Sequence, residues 1–307
     1  MEKLSSLPSE KKCPEHLYHY TSIDGVQGIL DKNCLQASQI HFLNDTQEFK
    51  YSISILEKVL AELRKELPEK TMLRRAIEMS TPSVSDPNDV LAIIYGAMEN
   101  LFSIPPLTKS PICVFSLSEE RDLLSQWRGY CPPGGGYSIG FRSDFLTQFS
   151  ETYELYLAPC IYDEIKQVAV VKEMVIKFRD TIQKRWTGRD IEIDKFSEDI
   201  WKDIVQFFID FSKTASTLKH PSFYQESEWR IISGLIANKN MSFRVRKSMM
   251  LPYFSMSFKD FEPFLIDEII IGPAPEQELA KSSLLQFVLQ KKLNISIKTS
   301  TISYREF

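Results

Sequence analysis

The stretch Tyr18-His19-Tyr20-Thr21-Ser22 sets the reading of this chain: three rings in a row, then two hydroxyl residues. Residues His16 to Tyr20 read as a short strand that stops where Thr21 and Ser22 can cap a helix, one that carries Ile23, Val26, Ile29 and Leu30 at helical spacing. Asp24 stands three positions after Thr21, as in a capping box. His19 is therefore expected at a strand end facing a helix start, where backbone N–H groups and the helix dipole draw anions.

Far downstream stands Glu226-Ser227-Glu228-Trp229-Arg230. Read as a strand of period two, it puts Glu226, Glu228 and Arg230 on one face and Ser227, Trp229 and Ile231 on the other. Two carboxylates and a guanidinium on one surface are costly to bury without a reason. A histidine-led strand entering a capped helix, joined to a late Glu-x-Glu strand, points to chemistry on a nucleotide-sugar bond.

The composition narrows the classes. The 307 residues are 43% hydrophobic and 12% aromatic, ample for a packed core. A formal charge of -4 and a pI near 5.7 argue against a nonspecific nucleic-acid binder, which needs a net basic surface. A small dissociable ligand fits better. Five scattered cysteines with no C-x-x-C pair suggest neither a disulfide framework nor a zinc knuckle, so a reducing cytoplasm is the expected setting. No apolar run reaches the length of a membrane span, and no secretory leader is read at the start.

The expected fold class is α+β: small mixed or antiparallel sheets with helical insertions, forming a single domain over residues 15–307 after a loose segment 1–14. The insertions are placed near residues 45–104 and 163–217. Asp45 and Glu48 form a second capping box, opening a helix with an apolar stripe of Leu56, Val59, Leu60, Leu63 and Leu67, ended by Pro68. Thr81 to Asn88 reads as a loop, and Pro105-Pro106 closes the helical region. Ile112 to Ser116 and Tyr137 to Phe141 read as strands that pair with each other, with a short helix from Glu120 to Tyr130 and a Pro/Gly turn between them. Helices follow over Glu164 to Trp186 and Asp194 to Lys213. Strands return at Glu226 to Ser233, Met241 to Arg246 and Asp267 to Ile271, then a helix over Pro275 to Lys292 and a strand near Asn294 to Thr299.

In order along the chain, LYHYTS followed by GIL, FLNDTQEF, VFSLSEE leading to LLSQWRGY, GGGYSIGF, HPSFYQESEWR and DEIIIGP resemble a bacterial family catalogued as domain of unknown function 2971. That family looks like a distant branch of the ADP-ribosyltransferase superfamily, which implies a fold of ADP-ribosyltransferase-like type. The resemblance implies that His19 contacts the adenosine ribose of NAD, with Tyr20, Thr21 and Ser22 beside it. It also implies that Ser125 holds the nicotinamide amide, with Trp127 or Tyr130 stacking on the ring and Arg128 nearby. Glu228 sits where the catalytic glutamate belongs. The sequence departs from the polymerase-like pattern at Val114, where a tyrosine is expected.

Breaking the nicotinamide-ribose bond builds an oxocarbenium-like transition state, which an anion below the sugar stabilises more than it stabilises the ground state. Glu228 is the candidate for that anion, and Glu226 for deprotonating or orienting the acceptor. The expected function is an ADP-ribosyltransferase or NAD glycohydrolase, a bacterial toxin or antiphage effector as the resemblance implies, with NAD as substrate and no metal. The acceptor is left open. The alternative is a noncatalytic nucleotide-binding or protein-interaction module on the same fold.

Plainer roles stand beside these. His19 alone reads as a structural histidine, and the Glu226, Glu228 and Arg230 set as an ion-paired strand face, with Arg128 as a second guanidinium. Trp127 and Trp229 read as core rings. Gly134 to Gly136 read as a hairpin turn. Arg244, Arg246 and Lys247 form a small basic strand that suits a solvated face, nucleic acid or NAD phosphates.

Overall fold

The computed structural model describes residues 11–43, 48–65, 112–132, 135–186, 193–246, 248–261 and 264–303. The chain divides into two compact units. The first gathers residues 1–42, 112–160 and 222–307, and the second residues 43–111 and 161–221.

The first unit is built on strands. In chain order they are β1 (His16–Thr21), β2 (Cys34–Gln39), β3 (Cys113–Ser118), β4 (Tyr137–Arg142), β5 (Tyr156–Pro159), β6 (Glu228–Ile232), β7 (Ser242–Arg246), β8 (Met249–Ser257), β9 (Ile266–Ile271) and β10 (Ser296–Thr299). Helices α1 (Ile23–Lys32), α3 (Leu124–Tyr130), α4 (Ser143–Thr152) and α7 (Gln277–Gln290) lie between them. Helices α2 (Glu48–Lys65), α5 (Glu164–Trp186) and α6 (Ile193–Ala215) belong to the second unit.

Among the described residues the strands join in one large mixed sheet, ordered β10-β9-β4-β1-β3-β2-β8-β7, with β6 beside β3 and β5 beside β6. Only β9 and β10 run parallel; the other pairs are antiparallel. One sheet therefore replaces the several small ones expected from sequence, because β3 joins its two wings.

Strand β3 has three partners. β6 runs along one edge, from Val114↔Ile232 to Ser118↔Glu228. The other edge is shared: β2 takes Cys113 and Val114, and β1 takes Ser118 through Tyr18. Between those contacts, residues 115–117 have no strand partner on that edge among the described residues, and the sheet forks into a β1-β4-β9-β10 wing and a β2-β8-β7 wing.

Period two gives the sheet two unlike faces. One is apolar: Leu17, Leu35, Phe115, Leu117, Ile139, Trp229, Ile231 and Ile269 pack with Val26 and Ile29 of α1, Leu146 and Phe149 of α4, and Leu284 and Val288 of α7. Each such side chain, fully buried, contributes roughly 1.5–3 kcal/mol. The other face is mixed, with an apolar cluster of Tyr18, Tyr20, Trp127 and Ile270 beside a polar rung. Register places Ser296, Glu268, Gly140, Tyr18, Ser118 and Glu228 in one rung across six strands. Tyr18 Oη reaches across Gly140 to donate to Glu268 Oε1 at 2.7 Å, and Lys298 Nζ lies 2.6 Å from Glu268 Oε2. A Cβ on Gly140 would stand 2.6 Å from Glu268 Cγ and 3.0 Å from Tyr18 Cε1, so the crossing needs glycine there.

Several expectations are corrected. The strands around Cys113 and Tyr137 do not pair, because β1 lies between them and binds β4 along its whole length. Strands β2, β5 and β8 were not read from the sequence. Ser22 caps α1, its Oγ accepting from Gly25 N at 3.2 Å, while Thr21 stays in β1. Asp45, Leu67, Pro68, residues 81–88 and Pro105-Pro106 lie outside the described residues.

In the second unit the α2 stripe of Leu56, Val59, Leu60 and Leu63 is buried, as are Val171, Val175 and Ile182 of α5 and Phe207 and Phe211 of α6. Gln167 ties this unit together: its amide donates to the carbonyls of Ile161 and Lys219, and its oxygen accepts from Tyr51 Oη. Lys219 and Glu48 form a buried ion pair at 3.6 Å.

Candidate functional site

His19 sits at the fork. Its Nδ1 lies 2.9 Å from the carbonyl oxygen of Ser116, the middle residue of the unpartnered β3 edge. A carbonyl only accepts, so Nδ1 carries the proton and Nε2 presents a lone pair. The ring stacks on Phe115 at 4.2 Å between centroids. Burial pushes the imidazole down to about 4, against the opposing pull of the Ser116 carbonyl, and the positive charge of Arg244 lowers it further. His19 is thus neutral at pH 7 and held in one tautomer.

Neighbouring residues of β1 point to the other face. Tyr20 Oη donates to the Glu120 carbonyl at 2.6 Å and accepts from Leu123 N at 3.0 Å, which fixes the start of α3. Its ring meets Trp127 edge-on at 4.6 Å. Trp127 is buried, and its Nε1 donates to Asp122 Oδ1 at 2.8 Å. It is a core ring beneath α3, without an open face for a nicotinamide. Trp229 is buried on the apolar face and donates to Glu119 Oε1. On α3, Ser125, Arg128 and Tyr130 are exposed, and Tyr130 Oη donates to Glu226 Oε2 at 3.2 Å.

Glu228 opens β6 and is 5% exposed; Arg230, two residues on and on the same face, is 1% exposed. Arg230 Nε donates to Glu228 Oε1 at 2.7 Å and Nη2 to Oε2 at 3.0 Å, so one guanidinium grips both carboxylate oxygens. Glu226 does not share their strand face. It ends a single-turn helix, Pro221–Glu226, and Ser227 takes a left-handed φ of 43° before β6 begins. The turn is held by Ser118 Oγ donating to the Glu226 carbonyl at 2.7 Å and by Glu119 N donating to the Ser227 carbonyl at 3.1 Å. Of the expected three-residue charged face, Glu228 and Arg230 lie on β6, while Glu226 precedes the strand and accepts from Tyr130.

Register separates the two leading candidates. Glu228 stands opposite Ser118, which stands opposite Tyr18, so those three share the mixed face. His19, one residue on, stacks on the apolar-face ring of Phe115. The structure therefore brings together Glu228 with Arg230, Tyr130 with Glu226, and His19 with the β3 edge.

The glycine turn is a packing device. Gly135 has φ 151°, a Cβ on Gly136 would fall 2.1 Å from Cys131 Sγ, and Gly134 lies outside the described residues. Cys131 itself has its thiol pushed up to about 11 by burial. None of the five cysteines is in a disulfide. Among the described residues no group of three His, Cys, Asp or Glu side chains is placed to hold a metal ion, and no helix is long and apolar enough to cross a membrane.

Two polar groups near the fork escaped the sequence reading. Gln36 and Ser38 of β2 receive Arg244 Nη1 and Nη2 at 2.6 and 3.0 Å. Their alternation in Gln36-Ala37-Ser38 was the available signal.

Residues 126–231 match a family model described as Protein of unknown function (DUF2971). The matched stretch runs from α3 to β6, about a third of the chain, and holds Trp127, Arg128, Tyr130, Glu226, Glu228 and Arg230. His19 and Arg244 fall outside it. No curated protein and no solved structure matches the chain.

Proposed function

We propose that this chain binds NAD, or an ADP-ribose-like ligand, at the fork of its sheet and acts as an ADP-ribosyltransferase or NAD glycohydrolase. The observation that carries the reading is the His19–Ser116 contact. It leaves a neutral imidazole with its Nε2 acceptor at a break in a sheet, where strand edges diverge and backbone polar groups lose their ladder partners. A ribose hydroxyl suits that acceptor. Glu228, on the opposite face of the sheet from the His19 ring, is the carboxylate that this reading assigns to a developing oxocarbenium ion. In this role it must exchange part of its Arg230 contact for the sugar. The acceptor of the ADP-ribosyl group is left open.

The test is NAD consumption by the purified chain beside a Glu228→Gln variant. A loss of about a hundredfold or more is expected in the variant, the scale of removing a group that stabilises transition-state charge. Equal turnover in both would remove Glu228 from the mechanism.

A second reading, a noncatalytic nucleotide-binding module, is favoured by one observation: both oxygens of Glu228 are already engaged by a buried arginine. Calorimetry separates the two. Saturable NAD or ADP-ribose binding with no product over hours supports the second reading, and absence of binding overturns both.

A further inference from the structure

We infer that the outer strand β7 is a docking edge for an acidic, extended segment of a partner protein, which joins the sheet as an added strand. The surface lies at the end of the β2-β8-β7 wing and does not depend on the nucleotide reading above.

Strand β7 closes the order of the sheet, so among the described residues only β8 pairs with it and its second edge meets no strand. Such an edge is a row of backbone groups ready to take another chain. The side chains beside it are apolar and exposed: Phe243 is 57% exposed, Val245 81% and Met250 63%. Period two sets Phe243 and Val245 on one face, and register places Met250 opposite Val245 and Pro252 opposite Phe243. Along β8 the same face continues through Phe254 to Met256, which is buried in the core with Leu35, its partner on β2. The apolar face of the sheet thus runs on past the core to an exposed row at its last strand.

Charge selects the occupant. From Ile231 to Lys259 the chain has no acidic residue and carries Lys239, Arg244, Arg246, Lys247 and Lys259, within a protein whose net charge is -4. The attraction for an acidic segment comes from this whole stretch and not from a single guanidinium, since Arg244 is already bonded to Gln36 and Ser38. The same pattern disfavours a second copy: antiparallel self-pairing of β7 centred on Arg244 or on Val245 would set arginine opposite arginine. A strand that alternates acidic and apolar residues answers both features, with carboxylates at the arginine positions and apolar side chains beside Phe243 and Val245. It also suits an open edge better than a lipid surface does, because strand-edge backbone groups find hydrogen bonds in another strand and none in hydrocarbon.

The experiment is fluorescence anisotropy on the full chain with a labelled, end-blocked nonapeptide alternating glutamate and valine, beside two controls: the same peptide with lysine for glutamate, and a glutamate-valine peptide of scrambled order. The parent should bind the acidic alternating peptide at least about tenfold more tightly than either control, and the binding should weaken as salt rises. The double variant Phe243→Thr, Val245→Thr keeps strand-compatible residues at two exposed positions, so it should melt with the parent while losing at least about tenfold in affinity. No binding of the acidic peptide, equal binding of the lysine peptide, or unchanged binding in the double variant overturns the inference. So does a parent that sediments as a dimer and is dissociated by the double substitution, which gives the edge to a second copy. Flotation of the parent, but not of the double variant, with phosphatidylcholine vesicles containing phosphatidylserine gives it to lipid and overturns the inference too.

Discussion

Arg230 closes on Glu228 from two positions along the same strand, its Nε and Nη2 each meeting one carboxylate oxygen, with both side chains almost wholly removed from solvent. Desolvating two charges is costly, and their attraction roughly offsets that cost only while both are present.

Removing one partner therefore differs from removing both. Glu228→Ala should destabilise the fold by about 3–5 kcal/mol, because it removes a carboxylate that accepts two hydrogen bonds from a buried guanidinium. A double replacement, Glu228→Leu with Arg230→Met, should lie within about 1–2 kcal/mol of the parent by chemical denaturation. Additive losses in the double variant would mean that the two residues do not act as a pair.

His19 gives the fold a pH dependence whose sign follows from its depressed titration. In the folded chain the imidazole takes up a proton only near pH 4, against 6.5 for an unperturbed histidine. Between those values the unfolded state binds more protons, so the stability from neutral His19 is full above about pH 6.5 and is lost as pH falls toward 4. From pH 7 to pH 5 the parent should lose about 1–2 kcal/mol more than His19→Gln, read from paired urea titrations. Parallel pH slopes for the two proteins would contradict a half-buried imidazole that is neutral at pH 7.

Gly140 is where the Tyr18 ring passes over the sheet to Glu268. Gly140→Ala would place a methyl group against both ends of that contact, and a drop of about 1–3 kcal/mol in unfolding free energy is expected, as for other overpacked sites. The combined Gly140→Ala, Glu268→Ala variant should recover part of the loss, since it removes the nearer obstacle. No recovery would locate the clash elsewhere.

Asp122 joins α3 to the end of β10. It accepts from Trp127 Nε1, Ser300 Oγ and Thr301 N. Asp122→Ala leaves a buried indole N–H unmet and should cost about 1–3 kcal/mol, with early hydrogen exchange at residues 296–301. Protection in β10 equal to the parent's would show that other contacts hold it.

The elements that sequence disclosed are those with local signals. Ser22 ahead of Val26, Ile29 and Leu30 announces α1, and the long apolar stripes of α5 and α6 announce themselves over more than five turns each. Strand β2, CLQASQ, mixes small and polar residues and carries no strand propensity to speak of. Strand β8 contains Pro252, which argues against a central strand; it is tolerated because the β2 ladder ends at Tyr253↔Ser38, just short of it. The pairing of Glu228 with Arg230 was legible, since both are set by period two on one strand. The separation of Glu226 was not, because it depends on a left-handed serine held by Ser118 and Glu119, residues remote in sequence. The fork was equally hidden. It arises from β1 and β2 sharing one edge of β3, a matter of topology that no local pattern encodes.

Strand β3 and the three strands that meet it come from three separate stretches of chain, interrupted twice by the helical unit. During synthesis β1 emerges first, but the edge that β6 supplies leaves the ribosome only after Ile232 has been added. A nascent chain must therefore carry β3 with one open edge from about residue 118 until residues 228–232 have been added, a setting in which exposed strand edges invite aggregation. Truncated products ending before residue 228 should accordingly be insoluble or chaperone-bound, and whatever the fork does, only a nearly finished polypeptide can do it.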